Sequence, residues 1–231
     1  MTGQYLRGAF VEFMPTFLIP LPNIILFQYN PDTMTHGWQP PAAAEAGTAT
    51  GNPLAVKGVP GESFSFTLTM DSNDTLSDGS VVTQALAEIS GVYPRLAALE
   101  MLLYPTGAFG GGLLGTVSAG LSGASADSDK AVPESQVPTV LFVWGPGRIL
   151  PVRVTGLSIT EKYYDSTLLN PIRADAQVDL QVLTPEELAV VTGPLATIAQ
   201  GAYTFNQGLR QALALANLAN SVESVIGMLP I

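Results

Sequence analysis

Cysteine is absent from the 231 residues, and histidine occurs once. Without thiols there are no disulfides, no thiolate zinc sites and no cysteine nucleophile, and a lone histidine cannot build a multi-histidine metal centre. Chemistry would have to come from carboxylates or hydroxyls alone. Charge is equally scarce: 12% of residues are charged, against about a quarter in an ordinary soluble monomer. Nine basic residues face nineteen acidic ones, a net charge of −10, so the cationic surface that binds nucleic acid or anionic lipid is missing. Long hydrophobic runs are missing too. Residues 9–27 are apolar but carry Glu12, Pro15, Pro20 and Pro22, and residues 209–229 are broken by Gln211, Asn217, Asn220, Ser221 and Glu223. Neither fits a membrane span or a signal core, so the expected location is cytoplasmic, within a soluble or membrane-apposed particle, with no membrane insertion.

What is present is a chain with 47% hydrophobic residues, enough for one sizeable core. With so little charge, much of its surface must be neutral or apolar, and surface of that kind is usually covered by a partner. Gly8–Phe13 and Asn23–Tyr29 read as short strands joined by a proline-rich bend. Residues 39–60 read as a long loop. In Glu62–Met70, Phe64, Phe66, Leu68 and Met70 alternate with serines and threonines, which predicts a strand with one buried face. Val82, Leu86 and Ile89 then shift to helical spacing, predicting a helix or helix pair over Ser80–Leu103.

Residues 106–138 hold seven glycines and no apolar period, so they read as a flexible insertion. Thr139–Trp144 is an unbroken apolar run that suits a strand buried on both faces, ended by Gly145-Pro146-Gly147. Ile149–Val154, Gly156–Tyr164 and the alternating Ala174–Leu183 complete seven strands. Thr184-Pro185-Glu186-Glu187 is a helix start, with a capping threonine, proline at the first position and acids in the first turn. Beyond it, Leu209, Leu213, Ala216, Ala219, Val222, Ile226 and Leu229 recur at helical spacing. The expected fold is therefore mainly β with one helical excursion, α+β, and a helical C-terminal arm. Residues 1–183 form the β domain and residues 184–231 the docking arm.

Candidate chemistry reduces to structure at each motif. Gly110-Gly-Gly-Leu-Leu-Gly115 matches a dinucleotide fingerprint, but its flanks offer neither the strand nor the helix that the mechanism needs. Asp71, Asn73, Asp74 and Asp78 suggest a calcium loop, yet Leu76 replaces the required glycine and Val82 the required glutamate. Asn73-Asp74-Thr75 is an acceptor sequon without a secretory signal. His36, near Trp38, has no accompanying nucleophile motif and reads as structural or exposed. Trp144, Tyr163 and Tyr164 read as packing aromatics. Arg153 and Arg173 lie in apolar strand contexts and are expected to meet carboxylates, across a subunit boundary in an assembly.

The segments in order form a pattern: Phe27-Gln-Tyr-Asn-Pro31 with Trp38 after it, a strand ending at Asp71, Thr139-Val-Leu-Phe-Val-Trp-Gly145, Gly156-Leu-Ser-Ile-Thr160, then Pro171-Ile-Arg-Ala174. This resembles the tube-like adaptor proteins in the baseplates of phage-tail-like contractile injection systems. Two departures stand out. Leu169-Asn170-Pro171 replaces the family's G-T-P, and the helical tail does not resemble the peptidoglycan-binding LysM module of many relatives.

The resemblance implies a tail-tube-like β-barrel or sandwich, and a ring of six copies joining the inner tube to the spike and hub, beside the sheath. It implies a structural part rather than an enzyme, with no cofactor, metal or catalytic residue. Trp144, Arg153, Arg173, Leu213, Val222 and Ile226 are then the expected assembly contacts. Two alternatives stay open: an inner-tube protomer of the same machine, and a monomeric β-sandwich that binds carbohydrate through Trp38, Trp144 and the tyrosine pair. A hydrolase built on paired acids lacks any supporting constellation.

Overall fold

The computed structural model describes residues 6–14, 21–43, 55–74, 89–104, 138–191 and 195–226. Nine strands occur there: β1 (Ala9–Met14), β2 (Leu21–Leu26), β3 (Met34–Gln39), β4 (Ala42–Ala43), β5 (Val56–Lys57), β6 (Gly61–Asp71), β7 (Val140–Val143), β8 (Ile149–Tyr164) and β9 (Pro171–Val182). The helices α1 (Tyr93–Met101), between β6 and β7, then α2 (Pro185–Val190) and α3 (Leu195–Ile226) join them. The Gly-rich insertion and most of the stretch from Ser80 to Leu103 that precedes α1 lie outside the described residues.

Seven strands form one antiparallel sheet in the order β2-β1-β7-β8-β9-β6-β3, and β4 and β5 pair as a separate ribbon. The class is thus mainly antiparallel β with helices. The expected barrel or sandwich is not met, because no ladder joins β2 to β3 and no second large sheet faces the first among the described residues. Proline chemistry contributes to the open edge. Pro22 stands in β2 opposite Phe13 and has no N–H to offer an outer neighbour, so β2 is an edge strand.

The sheet is nevertheless strongly curled. Phe10 on β1 lies 6.3 Å from Phe66 on β6, although β7, β8 and β9 separate the two strands in the ladder. The concave face is filled by Phe10, Phe27, Phe64, Phe66 and Phe142 together with Val152, Val178 and Leu180, and Val92, Leu96, Leu99 and Leu102 of the α1 segment join that core. A smaller core, Leu141, Leu183, Leu188 and Ala199, lies where α2 and α3 cover the other face at β7. The remainder of that face, over β6 and β9, is the serine, threonine and aspartate row that alternates with the core residues.

Two strand expectations change. Ile149–Val154 and Gly156–Tyr164 are a single strand, β8, with a register shift between Val154 and Gly156; Gly156 marks a bulge and not an end. Met34–Gln39 is a strand inside what reads as a turn and loop start, and its side chains are half-buried or exposed, so no burial rhythm announces it. At Thr184 the expected cap is complete: the hydroxyl accepts from Glu187 N–H and the Glu187 carboxylate accepts from Thr184 N–H.

Glu12 points into the concave face and is buried, with Asn23 as its hydrogen-bond donor at 3.2 Å. Burial raises its carboxyl above the ordinary carboxylate range, and the Asn23 bond offsets this in part. An acid whose folded pKa is raised opposes folding once pH exceeds its unfolded value, about 4.3 for glutamate, so ionised Glu12 costs stability at neutral pH. Glu12→Gln keeps the acceptor for Asn23 and should raise the melting temperature at neutral pH. The gain should vanish on acidification below the unfolded value, and equal melting of the two proteins at neutral pH would contradict it.

Candidate functional site

Two of the segments that carry the resemblance, Phe27–Pro31 and the end of β6 at Asp71, meet along the seam where the curled sheet fails to close. Gln28, just past β2, donates from Nε2 to Asp71 O at 2.7 Å and accepts from Asp71 N–H at 3.0 Å. A side-chain amide therefore stands in for the missing strand pairing. Arg95 of α1 also donates to the Gln28 Oε1. Asn30 ties the start of β1 to the same place, accepting from Gly8 N–H and donating to Leu6 O, each at 2.9 Å. Gly8 is required there, since a Cβ would stand 2.6 Å from the Phe27 ring and 2.8 Å from that of Trp144.

Outside this seam, Tyr29, Asn30, Pro31, Asp32 and Thr33 wall a hollow of about 420 Å³ against Thr67, Thr69, Asp71 and Arg173. The Tyr29 hydroxyl donates to Asp74, which together with burial and nearby acids pushes its pKa up to about 12. Asp175 is held below its ordinary value chiefly by the hydrogen bond from Lys162. Arg173 stands opposite Asp71 across the β6–β9 ladder. Within one chain, among the described residues, Arg153 meets an amide and no acid. Its Nη2 donates to Gln181 Oε1 at 2.8 Å, and its buried Nε has no hydrogen-bond partner.

A second hollow, about 270 Å³, lies between the start of β6 and α3, lined by Trp38, Pro60, Glu62, Thr184, Tyr203 and Gln207, among others. Its wall contains a group that the sequence does not reveal. Glu62, only 4% exposed, is met by His36 from β3 and by Arg210 from α3. The Arg210 guanidinium lies 4.8 Å over the Trp38 ring. Residues 36, 62 and 210 have no sequence relation, so only the fold joins them.

The first half of α3 belongs to the sheet: Ala199 is fully buried, and Asn206 donates to Ile149 O of β8. After Arg210 the helix leaves it. Residues 211–218 are exposed on every side, with Leu213, Leu215 and Leu218 at 61%, 66% and 57%, and none of the eight is charged. Val222 and Ile226 continue the same helix, but their side chains lie outside the described residues. Trp144 is half-buried against Phe27 and Phe142. The four aromatic residues of the carbohydrate alternative do not share a surface. Trp38 sits at the β6 start under Arg210, Trp144 packs on the core, and Tyr163 and Tyr164 project at the far end of β8.

Among the described residues no three His, Asp or Glu side chains gather as a metal site, and no helix is long and apolar enough to cross a membrane. No protein-family model matches the chain, and no curated protein matches it.

Proposed function

We propose that this chain is a structural assembly component, a ring-forming adaptor between the inner tube and the spike-bearing hub of a contractile injection system. The single observation that carries the assembly reading is the uncharged, exposed segment 211–218 of α3, held out from the sheet by a well-anchored first half. Three leucines exposed by more than half on one helix call for a partner surface. The particular machine rests on the resemblance, supported by the way Phe27–Pro31 and Asp71 meet at one seam beside Arg173.

On this reading the core phenylalanines and the seam make a rigid protomer, and α3 makes the contact outside it. An inner-tube protomer is the close variant, distinguished by stacking on copies of itself without limit. Removing residues 211–231 should leave a protein that keeps its β signal and a cooperative melt and loses only the far-ultraviolet contribution of the deleted helical turns, but one that no longer enters the particle. Native mass spectrometry of the full chain with its tube and hub partners should show a closed ring of six. Strict monomers in that mixture, or normal incorporation of the truncated chain, would sink the proposal.

A further inference from the structure

Where β8 turns into β9, the sheet ends in a tip that carries apolar side chains outward. Tyr163, Tyr164, Leu168 and Leu169 belong to that hairpin. Ile89 and Tyr93 are tied beside it, because Asn170 donates from Nδ2 to Ile89 O at 2.6 Å and Val92 N–H donates to Pro171 O at 3.0 Å. All six are exposed, by 43% to 72%. The backbone is strained in presenting them: Tyr163 and Leu169 hold φ of +56 and +57, a region in which bulky residues are outliers and glycine is usual. The turn holds Leu169 there. The Asp165 carboxylate accepts from the N–H groups of Thr167 and Leu168, and Leu169 N–H donates to Asp165 O. Strain of that kind points to a function for the side chains it displays. We propose that this tip is the receptor for the exposed second half of α3 of a second copy, an inference that rests on the assembly reading and names its contact.

Area, charge and reach together choose that occupant. At about 200 Å² for a fully exposed large side chain, the six offer on the order of 700 Å², close to the roughly 800 Å² per partner of a standard interface. Tyrosine is also enriched at interface cores. Tip against tip is disfavoured, since Glu161 and Asp165 of one copy would face the same acids of the other, while Lys162 is already paired with Asp175. The arm brings no such conflict: residues 211–222 carry no charge, and Leu213, Leu215 and Leu218 stand exposed.

The arm that fills the tip cannot be the chain's own. It leaves the sheet where Asn206 donates to Ile149 O, at the first residue of β8, and the tip lies at the other end of that strand. The 16 residues of β8 span about 50 Å. Residues 211–226 of the helix reach about 24 Å, and the residues after Ile226 add at most about 17 Å at full extension, so the tip stays out of reach. A second copy has no such limit. Ile24 and Leu26 on the outer strand β2 are the rival receptor, but two side chains offer roughly a third of the area of the tip. Arm on tip joins unlike surfaces, the kind of contact from which closed rings are built.

The chain has no cysteine, so the contact can be read by pairing single introduced thiols. Leu169→Cys and Leu215→Cys, made in separate full-length chains and assembled together, should be joined by a short bismaleimide into a two-chain product that neither variant gives alone. Ser166→Cys and Ala214→Cys, exposed beside them, repeat the pairing with the leucines kept. Product from the tip variant alone would show tip against tip, and product from the arm variant alone arm against arm. Product from Leu215→Cys with Leu26→Cys in place of Leu169→Cys would move the receptor to β2. Each of these overturns the proposal, as does a bridge within one dilute chain carrying both cysteines. A ring that forms without the mixed product overturns it too but leaves the assembly reading standing, whereas a wild-type chain that forms no ring sinks both. Leu169→Gly relaxes the strained backbone and deletes the side chain. The isolated variant should melt at or above the parent's temperature, yet associate about thirtyfold more weakly, the loss typical of an interface hot spot. Melting lowered together with association would show that the tip serves the fold, and would overturn its role as a receptor.

Discussion

Phe142→Ala is expected to lower stability by about 3–5 kcal/mol, enough to unfold much of a domain of ordinary stability. The ring is fully buried on β7 and lies 5.5 to 6.2 Å from those of Phe10, Phe64, Phe66 and Trp144. Those residues come from β1, β6 and the end of β7, so one side chain bridges both flanks of the curled sheet. Its removal leaves a cavity between β1 and β6, two strands that no ladder pairs directly. Phe142→Leu keeps most of the volume and should cost less than half as much. Chemical denaturation of both variants checks the order, and a loss below about 1 kcal/mol for alanine would mean that the flanks do not depend on this contact.

Gly91→Ala should destabilise the protein by about 2–3 kcal/mol, far more than adding one methyl group at a half-buried turn suggests. Gly91 adopts φ +59, and an added Cβ would stand 2.3 Å from Pro171 O. That oxygen belongs to the backbone at the start of β9 and accepts from Val92 N–H at 3.0 Å. Neither atom can step aside without breaking the bond that fixes the start of α1, whose own cap has no side-chain hydrogen bond. Gly201→Ala is the control. Gly201 lies in α3, nothing stands within 4 Å of the place its added methyl would take, and alanine there should add roughly 0.5–1 kcal/mol. If the two substitutions melt alike, the close approach at Pro171 is not tight in solution.

Alternation made β6 and β9 legible, because half-buried strands must repeat every two residues. The apolar run at β7 and the threonine, proline and glutamate signature of α2 were legible for equally local reasons. Legibility failed where structure is set by neighbours. β3 is an edge strand whose pattern carries no burial rhythm, and Gly156 reads as punctuation although the ladder continues past it. Expectation of a barrel came from resemblance and not from any residue pattern; edge strands look the same in sequence whether or not a partner closes them. The seam amide of Gln28 could be suspected only as a polar residue beside Phe27. The Glu62 clasp gives no local signal at all, since its three members belong to β3, β6 and α3.

The order of strands in the sheet has a consequence for the way the chain is made. β1 pairs with β2, its immediate successor, but its other neighbour is β7, which follows after more than half the chain has been synthesised. At about 5–20 residues per second, the first hairpin leaves the ribosome on the order of ten seconds before that neighbour exists. Throughout that interval Phe10 has nothing from β7 to pack on, and for the first part of it nothing from β6. Its concave side is complete only when Phe66 and then Phe142 arrive. Non-local pairing of this kind is slow and leaves sticky intermediates. Yield in cells should therefore respond to translation speed and to chaperone supply more steeply than the stability of the finished protomer would suggest.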